Sequence, residues 1–157
     1  MRVLVTVCAM AAVLAEAIYG TILVKTPGIH LGYFPVILTL ECLAGLIVGA
    51  LSGAIAAVAS RRRRRTGASD SIVVAGAFAP FLVLWIALYL LTNYPVDASR
   101  AAIFVGIGVL LMAVAVILST RIPWSPRSAN IALVVVLTLS VVTTFVYPWI
   151  LAFVVAG

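Results

Sequence analysis

The stretch PVILTLECLAGLIVGALSGAIAAVASRRRRR, from Pro35 to Arg65, decides the fold. Residues 35–59 hold one ionisable side chain, Glu41, and five consecutive arginines close the stretch. A helix rises 1.5 Å per residue, so about 20 apolar residues cross a hydrocarbon core of about 30 Å. The segment is long enough to span, and the arginines mark where it stops.

The same ruler, moved outward, finds four more apolar segments, and the predicted spans are 3–24, 35–59, 72–92, 101–119 and 130–155. Between them stand charges and turn formers: Lys25 with Pro27 and Gly28, the arginine block to Asp70, Asn93 to Asp97, and Arg121 to Arg127. Asp70, Asp97 and Ser125 suit helix caps, and Pro35 and Pro126 suit first-turn positions. Pro80 and Pro148 fall inside the third and fifth spans, where each removes a backbone hydrogen bond and predicts a kink.

Composition agrees. The 157 residues are 66% hydrophobic and 9% charged, whereas a soluble domain is about 45–50% apolar and about 25% charged. The formal charge of +6 does not read as a nucleic-acid surface, because half of the basic residues form one block between apolar segments. Nine arginines against one lysine, no glutamine and two asparagines fit the residue usage of a GC-rich bacterial genome. The expected fold is all-α: a compact, single-domain bundle of five transmembrane helices over residues 1–157, in a bacterial cytoplasmic (inner) membrane.

Orientation follows from lysine and arginine in short loops. With the arginine block inside, alternation puts Arg2, Arg61 to Arg65, Arg121 and Arg127 in the cytoplasm and leaves Lys25 and Arg100 outside. The predicted topology is therefore N-terminus cytoplasmic and C-terminus external. Tyr33, Phe34, Tyr94, Tyr147 and Trp149 then approach the outer interface, and Trp124 the inner one. The first segment carries a signal-peptide-like Ala15-Glu16-Ala17, but its apolar run continues to Val24, so it reads as a retained helix.

Three features are candidates for function. Gly45, Gly49 and Gly53 recur every fourth residue, with Ala57 continuing the row and Glu41 one turn before it. Small residues at this spacing allow close helix approach, either within the bundle or as a docking face for a partner or second copy. Arg61, Arg62, Arg63, Arg64 and Arg65 fix orientation and offer contact to anionic lipid headgroups, at about 1 kcal/mol per residue near the surface, or to an acidic partner.

The third feature is the pair Glu16 and Glu41, the ionisable groups well inside the apolar spans. Glu16 lies roughly 12 Å, and Glu41 roughly 8–9 Å, from the outer ends of their helices. An acidic side chain at such depth costs about 2.5–3.5 kcal/mol on insertion scales and calls for a partner. Two facing carboxylates cannot both be charged cheaply. Three readings stay open: hydrogen bonding to Thr21, Thr39, Ser140, Thr143 or Thr144; binding of a proton or cation in transport; or pairing with a basic residue of another protein.

Leu14-Ala15-Glu16-Ala17-Ile18, with Gly20-Thr21 and Lys25, resembles the first helix of small multidrug resistance transporters. The resemblance implies proton exchange against cationic drugs at Glu16. It covers about a dozen residues; the family has four helices, its later aromatic and glycine motifs are not found in this chain, and the arginine block has no counterpart in it.

Other chemistry is sparse. Cys8 and Cys42 fall in opposite halves of their spans, roughly 10 Å or more apart along the axis, which predicts free thiols and no disulfide. A single histidine, His30, makes no metal or haem site alone. There is no phosphate-binding glycine loop, no Ser/His/Asp set and no His or Cys cluster. The expectation is a non-catalytic accessory subunit of a larger membrane complex, in lipid or solute transport or respiration, with no cofactor and no nucleic-acid partner. The alternative is a small proton- or cation-coupled transporter using Glu16 and Glu41.

Overall fold

The first helix, α1 (Arg2–Val24), touches every other helix defined below and is the axis of the molecule. The computed structural model describes residues 2–24, 32–66, 73, 75–80, 82–83, 86–87 and 98–156. All secondary structure among the described residues is helical, apart from turns and bends. After α1 come α2 (Phe34–Thr66), α3 (Ala98–Arg121), α4 (Pro126–Phe145) and α5 (Tyr147–Ala156). Four helical segments, Arg2–Val24, Phe34–Arg61, Ala102–Arg121 and Pro126–Phe145, are long and apolar enough to cross a membrane.

Three of these match the predicted spans closely. The described residues of the expected span 72–92 are helical, while the rest of it lies outside the described residues, as do Asp70, Asp97 and His30. The expected span 130–155 is instead two helices, α4 and α5, divided at Val146. Two short-range effects explain the difference. Ser125 caps α4, accepting from the Ser128 amide at 3.1 Å, with Pro126 in the first turn, so the helix begins four residues early. At the other end Pro148 has no N–H for the Thr144 carbonyl and its ring crowds that turn. The Val146 amide still reaches Val142 at 2.9 Å, and Ile150 reaches Val146 at 3.1 Å, so the break is one residue wide.

Helix directions follow from paired contacts. A Cβ on Gly45 would meet Glu16 and Ala12, one on Gly49 would meet Ala9, Ala12 and Cys8, and one on Gly53 would meet Val5 and Leu4. The α1 partner falls as the α2 number rises, so α2 is antiparallel to α1. Ser140 meets Met10 and Tyr147 meets Thr21, so the final segment runs parallel to α1. Four residues join α3 to α4, a reach of about 14 Å, so their joined ends share one end of the bundle. Tyr19 packs edge-on to Phe104 with ring centroids 4.7 Å apart, which sets the start of α3 beside the end of α1.

Two apolar clusters flank α1. One joins Leu4, Cys8, Ala11, Ala12, Ala15 and Tyr19 to Ala56, Val73, Ala77, Phe104, Met112 and Val116. The other joins Val13, Ala17 and Val24 to Phe34, Leu38 and Cys42, with Tyr147 and Leu151 against it. Burial falls from α1 outward to α4, whose outer face exposes Ile131, Val134, Leu137 and Val141. Apolar residues on the outside as well as the inside suit a helix surrounded by hydrocarbon.

Candidate functional site

The α1–α2 seam is tightest at its glycines. A Cβ on Gly49 would stand 2.7 Å from the Ala9 Cα, the Ala12 Cβ and the Cys8 carbonyl oxygen. One on Gly53 would stand 2.5 Å from the Val5 Cα. Both distances are below ordinary contact, so only glycine permits this approach, and dispersion along the seam depends on it. The face formed by Gly45, Gly49 and Gly53 is covered by α1 itself.

Glu16 continues this seam. Its side chain is 3% exposed and lies over Gly45, where a Cβ would stand 3.0 Å from its Cγ. Glu41 is half-buried on α2, between exposed Leu40 and fully buried Cys42. The two carboxylates lie within electrostatic reach of each other, and Cys42 lies within reach of both. The antiparallel register sets Glu16 over Gly45, one turn of α2 from Glu41.

The hydroxyl groups considered as partners are engaged elsewhere, with two exceptions. Thr21 donates to the Ala17 carbonyl at 2.7 Å and shares a hydrogen bond with the Tyr147 hydroxyl. Thr39 donates to Pro35 at 2.7 Å, and Ser140 donates to Val136 at 2.8 Å and to the Met10 sulfur at 3.1 Å. Such back-bonding to the carbonyl four residues earlier is the local option for Ser and Thr in a helix. Thr143 makes no hydrogen bond among the described residues. Thr144 is fully buried and its hydroxyl has no partner, and the same is true of Ser52 on α2. None of these hydroxyls bonds to Glu16 or Glu41.

Sequence reasoning missed the tie between Thr21 and Tyr147 and the isolation of Thr144. A signal for the second was present: Pro148 stands four residues after Thr144, so that position faces a broken turn. The packing of Tyr147 against Val13, Ala17 and Cys42 carries no local signature.

Arg61 is exposed and α2 continues as helix through the arginine block to Thr66, while the side chains of Arg62, Arg63, Arg64 and Arg65 lie outside the described residues. Cys8 and Cys42 are buried free thiols, in different clusters. Among the described residues no three His, Cys, Asp or Glu side chains converge on a point suited to a metal ion. No protein family, curated protein or solved structure matches the chain.

Proposed function

We propose that this chain is a small polytopic subunit of a larger bacterial inner-membrane complex, without catalytic activity of its own. The complex serves lipid or solute transport or respiration. The observation that carries the reading is Glu41: a half-buried carboxylate on an apolar helix flank, with no cation paired to it among the described residues. A carboxylate at membrane depth needs a partner. Exposed Ile37 and Leu40 surround its open side, so a basic residue on a neighbouring helix has access to it. The arginine block adds contact to anionic headgroups at the cytoplasmic face.

The proposed topology has five crossings, with the N-terminus cytoplasmic. What supports five rather than four is the direction of the described helices. α2 descends relative to α1, and α3, joined to the ascending α4 by four residues, descends as well. The end of α2 and the start of α3 are then at opposite ends, and residues 67–97 have to cover a distance of about 30 Å. Gly76 packs near Ile55 and Val73 and Ala77 join Ala56 at the lower end, which suits the start of such a crossing.

Purification of the tagged chain from its native membrane in mild detergent tests the subunit reading. A stoichiometric larger membrane protein is the expected companion, and a lone homo-oligomer would count against the reading. One observation favours a second reading, a small cation-coupled transporter: Glu16 lies over Gly45, one helical turn along α2 from Glu41. Reconstituted vesicles that move a cation or proton with the chain alone would favour that reading.

A further inference from the structure

Arginines from four helix ends gather at one end of the bundle. Arg2 opens α1, Arg61 lies in the last turns of α2, Arg121 closes α3 and Arg127 is the second residue of α4, and all four are exposed. The α1–α2 seam, the Tyr19–Phe104 pair and the Ser140–Met10 contact fix these ends on the same side. α2 continues as helix through residues 62–65, which carry the rest of the arginine block.

The same contacts set their heights. Tyr19 and Phe104 are level, and Arg2 and Arg121 are each 17 residues from that pair, so they share one height. Val5 is level with Gly53, and Met10 with Ser140. Counted from these pairs, Arg61 and Arg127 each stand five residues further out than Arg2, roughly 7–8 Å at the helical rise. Two tiers of arginine result, separated by about the depth of one headgroup layer, about 5–7 Å. Val58, Leu118 and Ile122 are exposed close to the height of the first tier. Hydrocarbon therefore extends to that height, and the second tier stands among the lipid phosphates.

The chain cannot neutralise this end by itself. Of its four acidic residues, Glu16 and Glu41 lie in the other half of the bundle, and Asp97 immediately precedes α3, whose start is at the far end. Only Asp70 stands near any of these arginines in sequence. Countercharge has to come from outside. A lipid shell surrounds a bundle, so contact with it requires the arginines to share a depth and not a face. Trp124, between Arg121 and Arg127, donates from Nε1 to the Leu118 carbonyl at 3.3 Å and suits the same interface. We propose that this end is a collar for anionic phospholipid. Arg61 and Arg127 meet the phosphates directly, and Arg2 and Arg121 snorkel to them from the hydrocarbon edge. The planar guanidinium matches a phosphate with two parallel hydrogen bonds. The collar rests on the orientation and the lipid contact proposed above for the arginine block, and extends that contact to three further helix ends.

The test reconstitutes the purified full chain alone in vesicles of equal parts phosphatidylcholine and phosphatidylglycerol. Spin-labelled forms of the two lipids are compared by electron paramagnetic resonance. The immobilised shell is expected to favour phosphatidylglycerol by about fivefold at each arginine engaged, and added NaCl to weaken that preference. Arg121→Gln/Arg127→Gln, in which residues 61–65 still fix orientation, is expected to lower the preference severalfold. If that variant does not insert, Arg2→Gln and the salt series on the wild type take its place, with the same direction expected. An equal shell of both lipids overturns the proposal. So does binding of soluble polyglutamate without any lipid preference, which would point to an acidic protein instead. A preference that Arg121→Gln/Arg127→Gln leaves unchanged overturns the collar and returns the contact to residues 61–65 alone. No companion protein is present in the vesicles, so the outcome is independent of whether Glu41 has a partner.

Discussion

Glu16 lies against Gly45 across the α1–α2 seam, so closely that a Cβ on residue 45 would stand 3.0 Å from the glutamate Cγ. The contact joins the two readings of the glycine row and the buried acids into one object, since the stripe that lets the helices close also encloses the carboxylate. It ranks three substitutions. At Gly45 the obstacle includes a flexible side chain, whereas at Gly49 and Gly53 it includes the α1 backbone. Overpacking costs about 1–3 kcal/mol, against about 1 kcal/mol gained in helix propensity by Gly→Ala. Gly49→Ala and Gly53→Ala are therefore expected to lower the melting temperature in detergent, with Gly45→Ala less harmful. Gly106, with open space around its Cβ position, is the control and is expected to be neutral or slightly stabilised as Ala. Equal effects at all four positions would contradict the seam.

The tie between Thr21 and Tyr147 holds the start of α5 against the end of α1. Hydrogen bonds between membrane helices are worth about 0.6 kcal/mol on average and at most about 1.7 kcal/mol. Tyr147→Phe and Thr21→Val are each expected to cost an amount in that range. The double variant should cost less than the sum, because both remove the same bond. Strict additivity in a chemical-denaturation cycle would show that the two hydroxyls do not act on each other.

The break at Val146 follows from Pro148 rather than from the surrounding packing. Pro148→Ala restores an N–H to the Thr144 carbonyl and is expected to join α4 and α5 into one helix. Hydrogen exchange reads this directly: the amides of residues 146–150 should become more protected in the variant. Unchanged protection would place the cause of the break elsewhere.

Much of this fold was legible beforehand because membrane spans have a strong, one-dimensional signal of length and polarity. The ends of α1, α2 and α3 fall within a few residues of expectation, α2 differing only by its run through the arginines. The matched depths of Glu16 and Glu41 were legible too, because rise per residue converts sequence position into height. Side-chain partners were not. By sequence Thr39 and Ser140 are candidate partners for the glutamates, yet each bonds to its own helix, an option every Thr and Ser in a helix has and that outcompetes a distant acceptor. The division of the last span was half legible: Pro148 announced a kink, but its placement at Val146 depends on which carbonyl loses its donor.

Topology is open to direct labelling. With five crossings, single cysteines at Gly32 and Ser99 should react with an impermeant maleimide from outside intact cells, and one at Ser125 only after permeabilisation. With no crossing between α2 and α3, Ser99 would be protected and Ser125 exposed instead. Cys8 and Cys42 are buried and contribute little background.

Photo-crosslinking from the neighbour of Glu41 tests whether this glutamate docks a partner within the membrane. Leu40 is 60% exposed beside Glu41, so a photoreactive amino acid at position 40 samples what covers that flank in native membranes. One crosslink to a distinct membrane protein that also co-purifies in stoichiometric amount is expected, with loss of that crosslink when Glu41→Gln is added. Crosslinking only to lipid or to a second copy of this chain, or a partner crosslink that persists in Glu41→Gln, would contradict it.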